Sequence, residues 1–222
     1  MRYLDLLTAL FATVLLVSNV ASTKLVVLGP FTFDGGTLLF PLAYIFGDVL
    51  TEVYGYRKSR RVIWIGFFAL LLATLTFQAV AHLPAPPDAE SQRFGEAFGL
   101  LLGLTPRIVL GSLLAYFLGE FANAYVLAKL KVRTEGRFFW LRALASTLVG
   151  QGLDTGVFLL VAFYGVFPKA VLLAVFLSNC AFKLGVEALM LPFTYAVVGF
   201  LKRAEGMDAY DRDTDFNPFR LT

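Results

Sequence analysis

Apolar stretches of membrane-crossing length alternate with short polar connectors along nearly the whole chain. Windows near twenty apolar residues, enough to cross the hydrocarbon core of a bilayer, fall at about 3–22, 37–54, 62–81, 107–130, 138–167 and 169–201. The pattern predicts an all-α integral membrane protein of six transmembrane helices over residues 1–203, followed by a polar cytoplasmic tail over 204–222. The longest connector runs from His82 to Arg107. "PAPP" breaks it, and "AESQRFGEAFGLLLGL" predicts a short interfacial helix with its apolar side along the membrane. The tail, "EGMDAYDRDTDFNPFRL", mixes acids with aromatics and is expected to order only in part against the cytoplasmic face.

The pattern also repeats. "LAYIFGDVLTEVY" (Leu42 to Tyr54) aligns without gaps on "LAYFLGEFANAYV" (Leu114 to Val126), with Leu, Ala, Tyr, Gly and an acid coinciding. The next helices begin alike, "RVIWI" from Arg61 and "RFFWL" from Arg137. Both copies turn through a basic loop. We read a tandem duplication of a helical hairpin, predicted helices 2–3 and 4–5, related by an axis along the membrane normal.

Composition agrees with a membrane domain: 58% hydrophobic residues, 16% charged, and a mean hydropathy of +0.73. The net charge of +3 is explained by its placement. Arg57, Lys58, Arg60 and Arg61 follow the second predicted helix, Lys129, Lys131, Arg133 and Arg137 the fourth, and Lys202, Arg203, Arg212 and Arg220 the sixth. The alternate loops hold only Lys24, Arg93, Arg107 and Lys169. Positive loops stay inside, so both termini are expected in the cytoplasm, in a multi-pass protein of the cell inner membrane. No nucleic-acid partner is called for. The single Cys180 excludes an internal disulfide and a multi-cysteine metal site, and His82 stands alone at a helix end.

Within the apolar helices, polar residues fall on stripes. Tyr44, Asp48 and Glu52 share one face of the second helix, and Ser112, Tyr116, Glu120 and Asn123 one face of the fourth. Thr147, Gln151 and Asp154 line the fifth; Asn179, Lys183 and Glu187 line the sixth; Ser18 and Asn19 end the first. Counted from the outer ends, Asp48 lies about 16 Å deep and Glu120 about 20 Å deep. A carboxylate facing lipid at that depth costs about 2.5–3.5 kcal/mol, against about 0.3–0.6 kcal/mol returned by a leucine. These groups must therefore face one another or water. For any single residue, helix-pairing by hydrogen bonds of about 0.6 kcal/mol is an equal reading, and Lys183 and Glu187 are spaced to neutralise each other. Taken together, carboxylates, amides and the aromatic walls Tyr44, Tyr116 and Phe158 suit a small, flat, polar heterocycle. A carboxylate accepts two parallel hydrogen bonds from a guanine-like edge; the chemistry alone also admits other vitamins and cations.

"SNVASTK", "FPLAYIFGDVLTEVYGYRKSRRVIW", "RALASTLVGQGLDT", "SNCAFK" and "FNPFRL" together resemble the queuosine precursor transporter family, also called vitamin uptake transporters. The resemblance runs from the first helix to the last residues. It implies a six-helix inner-membrane importer of 7-cyano-7-deazaguanine and 7-aminomethyl-7-deazaguanine. It carries importance onto Ser18, Asn19, Lys24, Asp48, Glu52, Tyr54, Gly55, Arg142, Ser146, Thr147, Gln151, Asp154, Asn179 and Lys183. We assign substrate binding to Asn19, Tyr44, Asp48, Tyr116, Glu120, Asn123, Gln151, Asp154, Asn179 and Lys183. Gating or helix pairing goes to Ser18, Lys24, Glu52, Arg142 and Glu187, with Glu52 pairing a cytoplasmic-side cation such as Arg142. The expected partners are a 7-deazapurine and the lipid bilayer, with a homodimer left open, and no cofactor or metal. A rival is the substrate-binding subunit of an energy-coupling-factor importer, which needs partner ATPases; "GxxxxGK[ST]" is absent from this chain. No "HExxH" or serine nucleophile elbow argues for an enzyme.

Overall fold

The computed structural model describes residues 1–28, 31–103 and 106–220. Its helices are α1 (Leu4–Ala21), α2 (Phe40–Tyr54), α3 (Tyr56–His82), α4 (Ala89–Leu102), α5 (Pro106–Arg133), α6 (Phe139–Phe163) and α7 (Lys169–Glu205). Between α1 and α2 a two-stranded antiparallel hairpin, β1 (Leu25–Leu28) and β2 (Phe31–Asp34), pairs Leu25 with Asp34. The second span therefore begins later than its apolar window suggests.

Among the described residues, five helices, α1, α3, α5, α6 and α7, are long and apolar enough to cross a membrane. The 15 residues of α2 cover only about 22 Å of a core about 30 Å thick. That helix has little need to match lipid, because α1, α3, α5 and α7 pack around it. Val49 and Val53 are wholly enclosed, and Asp48, Leu50, Thr51 and Glu52 nearly so. The chain ends fix the parity of crossings. Glu205, closing α7, accepts hydrogen bonds from the backbone N–H of Arg2 (3.0 Å) and Tyr3 (2.8 Å), just before α1. Both ends lie on one side, as an even number of crossings requires, and α2 supplies the sixth. The fold is an all-helical, multi-pass membrane protein.

Two expectations need correction at the end that carries the basic residues. The segment from Arg57 to Arg61 is no loop: it opens α3, which starts directly after Gly55. Gly55 has φ +81°, a backbone conformation that side chains disfavour, so the chain turns between two helices in a single residue. The tail is also better ordered than its composition suggests. Asp211 is buried and accepts from the Tyr56 N–H at 2.9 Å, placing a carboxylate at the start of α3 where helix N–H groups are unpaired. Arg60 donates to the carbonyls of Asp215 (2.9 Å) and Asn217 (2.6 Å), and the Trp64 indole N–H to that of Pro218 (2.8 Å). Phe219 then lies near the Phe117 ring, at 5.9 Å between centroids. The tail is a strap along α3 and α5.

The predicted interfacial helix is α4, started by Asp88 accepting from the Ser91 N–H at 2.8 Å. Its expected last residue, Leu104, lies outside the described residues, as does Leu221 of the tail motif. α5 and α6 meet closely through small residues. A Cβ on Gly119 would lie 3.0 Å from the Gly150 carbonyl oxygen, and one on Gly150 would lie 2.9 Å from that of Gly119. This backbone-to-backbone approach sets Asn123 and Asp154, one turn away on either side, beside each other's helix.

Candidate functional site

Polar side chains of α2, α5, α6 and α7 form a column of three tiers. The helical spacing dictates the tiers: Tyr44, Asp48 and Glu52 follow one another by single turns on α2, and each meets a different set of partners.

In the upper tier, Lys183 of α7 donates to Gln151 Oε1 at 2.8 Å and Asp154 Oδ2 at 3.3 Å, two groups on one face of α6. It also reaches the Tyr44 hydroxyl. Lys183 and Asp154 remain partly exposed, with 17% and 31% of their side chains accessible. Glu120 of α5 completes the tier. It is half-buried, makes no hydrogen bond among the described residues, and approaches α2 at Gly47, where a Cβ would stand 3.5 Å from Glu120 Oε2. A free carboxylate beside an engaged ammonium, an amide and a phenol offers both signs of hydrogen bonding to a ligand.

The middle tier is enclosed. Asn123 Nδ2 donates to Asp48 Oδ1 at 3.2 Å, and Thr147 Oγ1 to Asn123 Oδ1 at 3.5 Å. Glu187 of α7 faces Asp48 and Thr147. Beside Gly47, Glu120 and Asn123 runs a crevice of about 10 Å³, the room one water needs. No heterocycle enters there without helix movement. The larger groove, about 460 Å³ between α1 and α7, offers hydrocarbon from Leu6, Leu7, Val197 and Phe200 and has none of this chemistry.

The basic tier centres on Glu52, which is fully buried. Arg142 Nη1 donates to Oε2 at 2.6 Å and Nη2 to Oε1 at 3.3 Å. Lys202 donates to Oε1 at 2.7 Å, and Lys131 stands 3.5 Å from the same oxygen. Lys131 and Lys202 also hold Asp208 of the tail. Partial burial works against the charge on Asp208, but the hydrogen bonds and charges of the two lysines outweigh it and hold the carboxyl below the usual carboxylate range.

The column thus gathers Tyr44, Asp48, Glu120, Asn123, Gln151, Asp154 and Lys183, with Glu52, Arg142 and Glu187. Others assigned from the sequence stand apart. Asn19 and Ser18 donate to the Leu15 carbonyl of their own helix, at 2.8 and 3.0 Å. Lys24 and Asn179 are exposed, and among the described residues no hydrogen bond reaches either side chain. Tyr116 turns away from the column to donate to the Ile63 carbonyl at 3.0 Å. Lys183 and Glu187 do not neutralise each other, since Lys183 points to α6. Sequence reasoning missed Lys131 and Lys202 as partners of Glu52, and Asp208 as the second acid those lysines hold. Loop charge explained the lysines, and nothing local marks an acid in the tail as their counter-ion.

The chain matches the family model described as "Putative vitamin uptake transporter" over residues 34–197. It belongs to the vitamin uptake transporter family. The matched stretch runs from β2 into α7 and contains every member of the column except Lys202 and Asp208. The chain is similar to the "Probable queuosine precursor transporter" of Bacillus subtilis, 36% identical over 84% of this chain and 80% of that protein. It is also similar to the "Queuosine precursor transporter" of Escherichia coli, 28% identical over 58% of this chain and 54% of that one. A "Probable queuosine precursor transporter" of Haemophilus influenzae is 26% identical over 58% of this chain and 51% of its own length. No solved structure matches.

Proposed function

We propose that this chain imports queuosine precursors of the 7-deazaguanine class, 7-cyano-7-deazaguanine and 7-aminomethyl-7-deazaguanine, across the cytoplasmic membrane. The observation that carries the reading is the upper tier. Glu120 is an uncommitted carboxylate set beside Lys183, Gln151, Asp154 and the Tyr44 ring. A carboxylate accepts the lactam N–H and exocyclic amine of a guanine-like edge together, and both bonds are charge-assisted. Lys183 and Gln151 meet the ring's carbonyl, and Tyr44 lies against its face. Of the repeat-equivalent acids, Glu120 contacts the heterocycle and Asp48 stands behind it. The names of three relatives support the substrate class.

The distribution of basic residues supports a cytoplasmic position for the Glu52 tier and the strap. With that tier locked and the middle tier too narrow for a ring, the conformation is closed toward the cytoplasm. Import then proceeds by parting the basic tier after the upper tier has closed over the solute. Cells unable to make the base should recover queuosine in their tRNA when supplied with 7-cyano-7-deazaguanine and this protein. Absence of recovery, with the protein verified in the membrane, contradicts the reading.

A further inference from the structure

Glu187 is only 4% exposed, and neither of its carboxylate oxygens has a hydrogen-bond partner among the described residues. An enclosed acceptor without a donor is costly, and a charged one more so. The side chains that face it are Asp48 from α2 and Thr147 from α6, and the Thr147 hydroxyl is directed to Asn123 Oδ1 at 3.5 Å. Asp48 is equally enclosed, at 2% exposure, and accepts a hydrogen bond from Asn123 of α5. The other acids around it are Glu187 and, from the upper tier, Glu120. Lys183, one turn from Glu187, is drawn to Gln151, Asp154 and Tyr44, and the basic tier's cations are held on Glu52 and Asp208. Two acids thus meet in an enclosed layer with no cation between them among the described residues.

Two carboxylates so placed cannot both be ionised. A single proton resolves the conflict. It converts one oxygen into a donor, gives the orphaned acceptor its partner and leaves one negative charge instead of two.

We propose that Asp48 and Glu187 share one proton, forming a proton-binding site that couples solute uptake to proton entry. The coupling rests on the transport reading above; the shared proton does not. The proton adds to one carboxylate oxygen as an O–H bond directed at the other acid, from the side that the upper tier faces. It leaves to water on the opposite side, by breaking of that O–H bond, when the basic tier parts and hydration separates the acids. For a neutral solute and one proton, a gradient of one pH unit then supports at most about tenfold accumulation.

Two measurements decide it. In the infrared spectrum of the ligand-free protein at neutral pH, a protonated-carboxyl band should be present and should be lost in both Glu187→Gln and Asp48→Asn, each verified as folded by its melting curve. A wild-type spectrum without that band, or one that persists in both variants, overturns the site. In proteoliposomes acidified outside by one unit, wild type should accumulate labelled 7-cyano-7-deazaguanine several-fold, up to about tenfold, and lose this with a protonophore. Glu187→Gln should still exchange the compound but only equilibrate it. Equal accumulation by both proteins, or accumulation driven by sodium alone, overturns the coupling. If the compound enters neither proteoliposomes nor binding assays while the band is present, the substrate reading fails and the proton site stands.

Discussion

Arg142 grips Glu52 with both terminal guanidinium nitrogens, at 2.6 and 3.3 Å, where both side chains are 1% exposed. The pair ties α6 to α2, and Lys202 ties α7 to the same carboxylate. Removing one partner of a buried, hydrogen-bonded pair leaves an uncompensated charge and costs about 3–5 kcal/mol. Arg142→Met should therefore lower the melting temperature sharply, and the double variant with Glu52→Gln should recover part of the loss. A cycle of melting curves in detergent checks this; additive losses contradict the pairing.

Asp208 joins the same tier from the tail. Its folded carboxyl titrates below the ordinary range, so the stability it contributes is present above that range and lost as pH falls through the folded value. Acidification should destabilise wild type more than Asp208→Asn. Melting curves from neutral pH down through the carboxylate range and below it report the difference, and identical pH profiles would remove Asp208 from the lock.

The α5–α6 crossing depends on the absence of side chains. A Cβ on Gly119 meets Asp154 Cβ at 2.8 Å as well as the Gly150 carbonyl oxygen at 3.0 Å, neither of which yields easily. Gly119→Ala should cost about 1–3 kcal/mol by forcing the helices apart. It should also weaken solute binding, because Asp154 and Asn123 flank the crossing. Gly152→Ala, with nothing within 4 Å of its Cβ, is the control and should be neutral.

The strap makes a separate prediction. Arg60 donates two charged hydrogen bonds to tail carbonyls, each worth about 1.5–3 kcal/mol. Arg60→Met should detach residues 209–218 and speed their amide exchange while leaving α1 unchanged. Exchange rates equal to wild type would mean the strap is held elsewhere.

Much of this was legible in the chain. Each crossing has its apolar window, and the polar stripe of α2 is visible as Tyr44, Asp48 and Glu52 at single-turn spacing. The pairing of Glu52 with Arg142 came with the family resemblance, which marks both residues, and the structure joins them. Other features were hidden for physical reasons. Gly55 permits a one-residue turn, so "GYRKSRR" reads as a loop although it begins a helix. Tyr44 and Tyr116 are equivalent in the repeat, yet Tyr116 is recruited by an Ile63 carbonyl that no periodicity reveals. Lys183 and Glu187 have the spacing of an ion pair, but α6 presents stronger partners to the lysine. The strap depends on contacts more than 150 residues apart, such as Arg60 with Asn217, and amphipathic patterning carries no trace of them.

The most direct test of heterocycle recognition at the upper tier is equilibrium binding of 7-cyano-7-deazaguanine to purified wild type and Glu120→Gln. The amide keeps the shape and volume of the carboxylate but loses its charge and presents a donor to an edge that already donates. Saturable binding by wild type, weakened about tenfold or more in the variant, is the predicted result. An analogue lacking the exocyclic amine should bind wild type poorly and lose little further in Glu120→Gln. Equal affinity of both proteins for the deazaguanine, or no saturable binding by wild type, contradicts recognition by this column.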